Sequence, residues 1–224
     1  MPSIREPLKQ PTKEEYDATF EPYAKEIGFL LRDWNNLQET LRGLFILTIG
    51  AELQHICTAV WHAVPVDRFQ RNMLRGAAKV RFHKNPKPGP GFHETRARNL
   101  LLLEEIDWIC EKADSLGRQR DDAAHVPVSL LVNSEPFEFI SHALTGHPIA
   151  VQLAEKDLLA EFKLYRDRAV ALRTYARQIE RLLMSETPLP LPERFLWPER
   201  PRSSERKAEP GQGHARGQKR RLPT

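Results

Sequence analysis

The chain is 224 residues long, and its 34 Lys/Arg against 30 Asp/Glu leave a net charge of +4. Nine of the basic and five of the acidic residues lie in 185–224, so that segment holds the whole excess; 1–184 is neutral and gives no support to a basic nucleic-acid-binding face on the body, so any such attraction is local or comes from the tail. Seven of the 18 prolines also follow Met184, where apolar periodicity stops. The chain therefore divides into a leader (1–21), a helical body (22–184) complete at Met184, and a Pro-rich basic tail (185–224) expected to be disordered. Truncation after Ser185 is expected to leave the fold intact.

Cys57 and Cys110 sit in apolar helical patterns at no ligand spacing, which argues against a disulfide framework or a zinc knuckle. Residues 1–10 have no apolar signal-peptide core, and the longest apolar run, 44–49, is interrupted by Thr48 and too short to span a bilayer. The expectation is a reduced, cytoplasmic protein without a membrane segment.

The leader carries Pro2, Pro7 and Pro11, and its second half reads as a short helix over 14–20. From Pro22, suited to a first helical turn, Ile27, Leu30, Trp34, Leu37, Leu41 and Leu44 recur at steps of three and four. That pattern predicts a long amphipathic helix ending near Gly50. Asn35 and Asn36 are poor helix formers inside it, so one of them is expected to have a side-chain partner; Asn35 and Glu39, four apart, share a face beside the apolar stripe. A second helix over 51–64 stops at Pro65. It contains Glu52 and His55 at the Glu-x-x-His spacing of di-iron bundles, but no second such pair exists, and neither a metal nor a cofactor is expected.

Asp67 and Gln70 resemble a capping box opening a third helix, with Phe69, Met73, Leu74, Ala77 and Val80 as the apolar face. Arg68, Arg71, Arg75 and Lys79 form a basic stripe on the other side, read as solvated surface or as a contact for RNA phosphates. A Pro/Gly-rich loop over 84–91 follows. The fourth helix, from near Glu94, has the core line Leu102, Ile106, Ile109, Ala113, Leu116, and the next positions on it are Arg120 and Ala123. An arginine on that line must emerge at the end of the core or be held by partners, because an unpaired buried charge is strongly unfavourable. Beyond Pro127, 128–132 and 137–140 read as a small hairpin or irregular excursion, and Gly146 to Pro148 as a turn. A last long helix from about Glu155 carries Leu158, Leu159, Phe162, Tyr165, Ala169, Leu172, Ala176, Ile179 and Leu183 inward. Phe195-Leu196-Trp197 in the tail is apolar enough to dock back on the bundle.

The densest ionisable chemistry is in 117–127. Two Arg-x4-6-His spacings occur there, Arg120 to His125 and Arg118 to His125, no more than composition alone would give. The weight lies in placement. Arg118, Asp121, Asp122 and His125 are i, i+3, i+4 and i+7, one polar strip of a helix, with Arg120 on the neighbouring core-directed line. Pro127 disfavours helix at Val126, so His125 falls in the last turn. Histidine can move protons near neutral pH and arginine can oppose developing charge on phosphoryl oxygens, a combination suited to metal-free RNA cleavage by the 2′-hydroxyl. The alternative is a charged helix end with ordinary ion pairs.

A helical bundle whose long helix ends in Arg120-Asp121-Asp122-Ala123-Ala124-His125 resembles the HEPN superfamily, in architecture over about 22–184 and in motif over those six residues. Trp34-Asn35-Asn36-Leu37-Gln38-Glu39 is also similar to the first helix of uncharacterised bacterial members. The resemblance implies an all-α, four- to five-helix HEPN-like bundle and a homodimer whose two motifs face each other across a cleft. It also implies a metal-independent endoribonuclease, often a toxin or defence effector, with Arg120 and His125 catalytic and Asp121 positioning them; Arg118, Asp122, Asn35 and Glu39 are supporting candidates. The strands after Pro127 are an insertion in that plan. The polar neighbour of the arginine is often asparagine in the family and is Asp121 here, which leaves open a binding-only member. A helical interaction protein, such as an antitoxin or regulatory partner, and a nucleotide-binding module are the alternatives.

Overall fold

The computed structural model describes residues 10–83, 91–126, 128–131, 137–141, 148–153, 156–185, 187 and 189–199. It is a mostly helical bundle of α1 (Lys13–Ile49), α2 (Gln54–Ala63), α3 (Asp67–His83), α4 (Phe92–His125), α5 (Pro148–Leu153) and α6 (Leu158–Met184). A short 3-10 turn (Ala51–Leu53) precedes α2, and β1 (Val128–Leu131) pairs antiparallel with β2 (Glu138–Ser141), placing Val128 opposite Ser141 and Leu131 opposite Glu138. No single helix among the described residues is long and apolar enough to cross a membrane.

The second half of the leader belongs to α1. Thr12 accepts from the Glu15 amide while Glu15 accepts from the Thr12 amide, a reciprocal cap that starts the helix at Lys13, nine residues before Pro22. Pro22 thus lies inside the helix, where its ring removes one backbone bond. The extension is held by rings: Tyr16, Phe20 and Tyr23 meet Phe139 of β2 at 5.3–5.5 Å between centroids. The hairpin is therefore a clamp on the first turns of α1.

Leu30, Trp34, Leu37, Leu41 and Leu44 of α1 are buried, as the spacing predicts. Pairs along the helices fix their directions. Glu26 meets Arg166, Asp33 lies 3.7 Å from Arg173 and Gly43 faces Glu180, so α1 and α6 run parallel. Asp67 with Arg120 and Arg71 with Asp114 make α3 and α4 antiparallel. The core between these four helices includes Leu74, Ala78, Leu102, Ile106, Ile109, Leu116, Leu172 and Ile179. A smaller cluster of Leu30, Ala123, Leu153, Leu158, Phe162 and Tyr165 closes the hairpin end.

Two expectations for α3 fail for one reason: polar side chains found partners across the bundle. The Asp67 carboxylate leaves the helix end to accept from Trp34 Nε1, and Gln70 Nε2 donates to the Trp61 and Val64 carbonyls, so the capping box does not form. Arg71 and Arg75 turn onto Asp114, and the buried line becomes Gln70, Arg71, Leu74, Ala78 and Phe82. Phe69 and Val80, expected inside, are exposed.

The tail also departs from a boundary at Met184. Leu191, Phe195 and Trp197 pack against the core, with Phe195 and Trp197 on Trp108 and Phe195 on Tyr175. Arg194 donates to Glu104 and Glu105, and Arg168 to the Pro198 carbonyl. Docking of the Phe195-Leu196-Trp197 segment is thus observed, and 189–199 is a structural part of the body. The disorder expected for 200–224 lies outside the described residues.

Candidate functional site

α4 stays helical to His125 and ends at Val126, whose amide donates to the Asp122 carbonyl. The polar strip Arg118, Asp121, Asp122, His125 therefore exists on a continuous helix. The core line also runs as expected: Ile106, Ile109, Ala113 and Leu116 are buried, Arg120 half-buried and Ala123 buried again.

Arg120 is held rather than solvated. Its Nη2 lies 3.4 Å from Asp67, and its guanidinium stacks over Trp34 at 5.2 Å from the ring centroid. Asp121 Oδ1 sits 2.9 Å from Arg120 Nε, yet Nε is buried without an aligned hydrogen bond, so this contact is Coulombic more than directional. Trp34 in turn donates to Asp67 over 3.1 Å, and Arg71 covers the indole at 5.6 Å. α1, α3 and α4 thus meet at a tryptophan lying against two guanidinium groups. The close approach of α4 depends on Gly117, where a Cβ would already touch Trp34 and Arg71 at 3.4–3.5 Å.

Above this floor is a cavity of about 500 Å³ lined by Pro65, Val66, Asp67 and Arg68 of the α3 entry, by Trp34 and Arg71, and by Asp114, Gly117, Arg118, Arg120 and Asp121 of α4. Asp114 accepts from Arg71 Nε at 2.7 Å and Arg75 Nη2 at 2.8 Å. Burial pushes its carboxyl up, but the hydrogen bonds and charges of Arg75 and Arg71 outweigh that and hold it below the usual carboxylate range. Each aspartate at the wall already answers a cation. Arg68 and Arg118 are exposed and have no ion-pair partner among the described residues.

The other candidates separate from this group. His125 is exposed, has no side-chain partner among the described residues, and lies one turn beyond Asp121, outside the cavity lining. Burial raises the Asp122 carboxyl, with Asp121 adding to it and Lys156 and Arg118 opposing. Glu39 is exposed and pairs with Arg42 at 2.7 Å, away from the cavity. Asn35 is exposed, and neither Asn35 nor Asn36 has a side-chain partner among the described residues; the polar side chains that α1 buries are Asp33, Thr40 and Thr48. The Asn35/Glu39 pair therefore forms no part of the cavity. Among the described residues no group of three or more His, Cys, Asp or Glu is arranged to hold a metal ion.

Sequence reasoning missed Trp34, Asp67, Arg71 and Asp114 as parts of one place. Each carried an ordinary signal, core aromatic, helix cap, surface cation or helix acid, and only the antiparallel pairing of α3 with α4 brings them together. A signal was available in Arg71 itself, which lies on the α3 face shared with Leu74 and Ala78. No family model, no curated protein and no solved structure matches the chain.

Proposed function

We propose that the protein is a metal-independent endoribonuclease of HEPN type, acting as a homodimer at the end of α4. The observation that carries this reading is Arg120, a cation on the core line, fixed by Asp67, Asp121 and Trp34, with His125, which has no side-chain partner among the described residues, five residues on in the last helical turn. About 7.5 Å of helix axis separates the two positions. The polar strip presents Arg118, Asp121, Asp122 and His125 in turn, with Arg120 on the neighbouring line, about 140° of helix rotation from His125.

In this reading the 2′-oxygen attacks the adjacent phosphorus as the P–O5′ bond breaks, giving a 2′,3′-cyclic phosphate and a 5′-hydroxyl; Arg120 opposes charge on the phosphoryl oxygens, and His125 moves the 2′-hydroxyl proton, which is replaced on the departing 5′-oxygen. Asp121 fixes the guanidinium beside it. Purified protein in EDTA should cleave RNA, and His125→Ala and Arg120→Ala should each reduce cleavage by at least a hundredfold with the helical circular dichroism retained. Mutants as active as wild type would sink the proposal.

One observation favours a second reading, a helical interaction protein such as an antitoxin or regulatory partner. Ile56 and Val60 on α2 and Phe69 and Val80 on α3 are apolar and exposed. Co-purification of a stable second protein, with no RNA cleavage by either form, would select it.

A further inference from the structure

We infer that the cavity between the start of α3 and α4 is a subsite for a phosphodiester of the bound RNA strand, next to the one cleaved at Arg120 and His125. The inference rests on the RNA-cleaving reading only for the identity of the strand; the anion chemistry of the cavity stands by itself.

Three separate features converge there. The first is the opening turn of α3, a 17-residue helix whose entry residues 65–68 form one wall. The Phe69 and Gln70 amides are taken by the Val66 carbonyl, whereas those of Asp67 and Arg68 have no acceptor among the described residues. Such amides, at the positive end of the helix dipole, suit a phosphate oxygen. The second is Arg71, only 4% exposed, which spends Nε on Asp114 and has Nη1 sealed from the cavity, while Nη2, 3.5 Å from where a Cβ on the cavity-lining Gly117 would sit, has no hydrogen-bond acceptor among the described residues. A guanidinium donor without an acceptor at a cavity wall is unfavourable, and a charged acceptor entering the cavity would satisfy Nη2.

The third is the balance of charge. Four arginines and three aspartates line the cavity, and the aspartates are matched to Arg71, Arg75, Arg120 and the Trp34 indole. The lining alone carries one excess cation, and the arginines without an ion pair among the described residues are Arg68 and Arg118, one on each wall, with the Asp122 charge acting on Arg118 from the next turn. A phosphate between them would meet α3 amides and Arg68 on one side and Arg118 on the other, with Arg71 below. Carboxylates already hydrogen-bonded to cations repel it less than free ones, and the two open guanidinium groups attract it.

The test uses the full chain and a fluorescent 2′-O-methyl RNA, which lacks the attacking hydroxyl and so reports binding without cleavage. Arg68→Ala and Arg118→Ala, both at exposed positions that leave the core untouched, should each weaken binding about tenfold by fluorescence anisotropy. The double variant should lower the slope of log affinity against log salt by roughly 0.7 per cation removed. Inorganic phosphate at millimolar concentration should compete with the RNA. Unchanged affinity and salt slope in the double variant, or no binding of the RNA by wild type, overturns the subsite; so does tight binding of AMP by a protein that does not bind RNA. The two readings fail separately. Cleavage lost in His125→Ala with Arg68 and Arg118 irrelevant to binding removes the subsite and keeps the nuclease. RNA binding that depends on Arg68 and Arg118, without cleavage by any form, keeps the subsite and removes the nuclease.

Discussion

Trp34 and Trp108 are built into the molecule in the same way and end in opposite states. Each indole lies against two cations, Arg71 and Arg120 for Trp34 and Lys112 and Arg194 for Trp108. Each cluster holds a carboxylate, Asp67 in one and Glu105 in the other. Around Trp108 the hydrogen bonding closes: Glu105 accepts from Tyr175 and Arg194, and Phe195 and Trp197 fill the space above. Burial, with the hydrogen bond and charge of Glu105, raises the Tyr175 hydroxyl well above its ordinary range, as expected for a neutral donor locked in place. Around Trp34 an open cavity remains, and among the described residues Arg71 Nη2 has no acceptor and Arg68 and Arg118 no ion pair. Leftover hydrogen-bonding capacity, rather than aromatic or charged content, distinguishes the open cluster from the closed one.

The largest expected difference is in the cost of removing each ring. Trp34, 1% exposed, joins three helices, so Trp34→Ala should lower unfolding free energy by about 4 kcal/mol in chemical denaturation. Trp108 is only half-buried, and Trp108→Ala should cost about 2 kcal/mol. Equal losses would break the claim that Trp34 is the central floor and Trp108 a joint under the tail.

Next comes Asp114→Asn, which strands Arg71, a buried cation, and should cost about 3 kcal/mol at pH 7. The pH dependence has a definite sign. Because the folded carboxyl titrates below its ordinary range, the unfolded chain binds more protons in that window. The stabilisation is therefore full above the ordinary aspartate pKa and lost as pH falls through the lower folded value. Melts from pH 7 to pH 3 should show the wild-type advantage over Asp114→Asn persisting to acid and then disappearing; an advantage that grows on acidification would contradict the assigned pairing.

The tail gives a smaller effect. Ending the chain after Ser185 uncovers Trp108 and Tyr175 and leaves Glu105 with fewer donors, an expected loss of about 2 kcal/mol after the entropy of ordering the strap is deducted. Ending it after Glu199 should change stability by less than about 0.5 kcal/mol. Identical melting of the two truncations would mean the docked segment adds nothing, as a body complete at Met184 requires.

What the sequence made legible follows from what periodicity can carry. The α4 core line reached Arg120 in the residue spacing and does so in space, and the α1 and α6 stripes hold, because each is an intra-helix property. The start of α1 was readable in principle from Thr12 and Glu15, but Pro22 is the stronger local signal for a helix start. The register of α3 was not legible. Phe69 and Val80 favour one face by hydropathy, and Arg71 overrides them through an aspartate 43 residues away. For the same reason Arg120 and His125 were found as a pair in sequence, while the cavity that takes Arg120 and omits His125 needed the helix pairing.

The smallest expected effect tests the floor of the cavity most directly. Gly117 sits inside α4, where glycine is less favourable than alanine by about 1 kcal/mol, so its presence needs a reason. An added Cβ would meet Trp34 Cη2 at 3.4 Å and Arg71 Nη2 at 3.5 Å, ordinary contact without overlap. Gly117→Ala should therefore raise stability by about 0.5 kcal/mol, the helix gain reduced by crowding against the indole. Gly117→Leu cannot be placed without moving Trp34 or filling the cavity, and it should reverse the sign to a loss of about 1–3 kcal/mol. A leucine tolerated as well as alanine would show that α4 does not approach Trp34 as closely as the Arg71, Trp34 and Arg120 contacts require, and the open cluster would lose the rigid floor that sets it apart from the closed one.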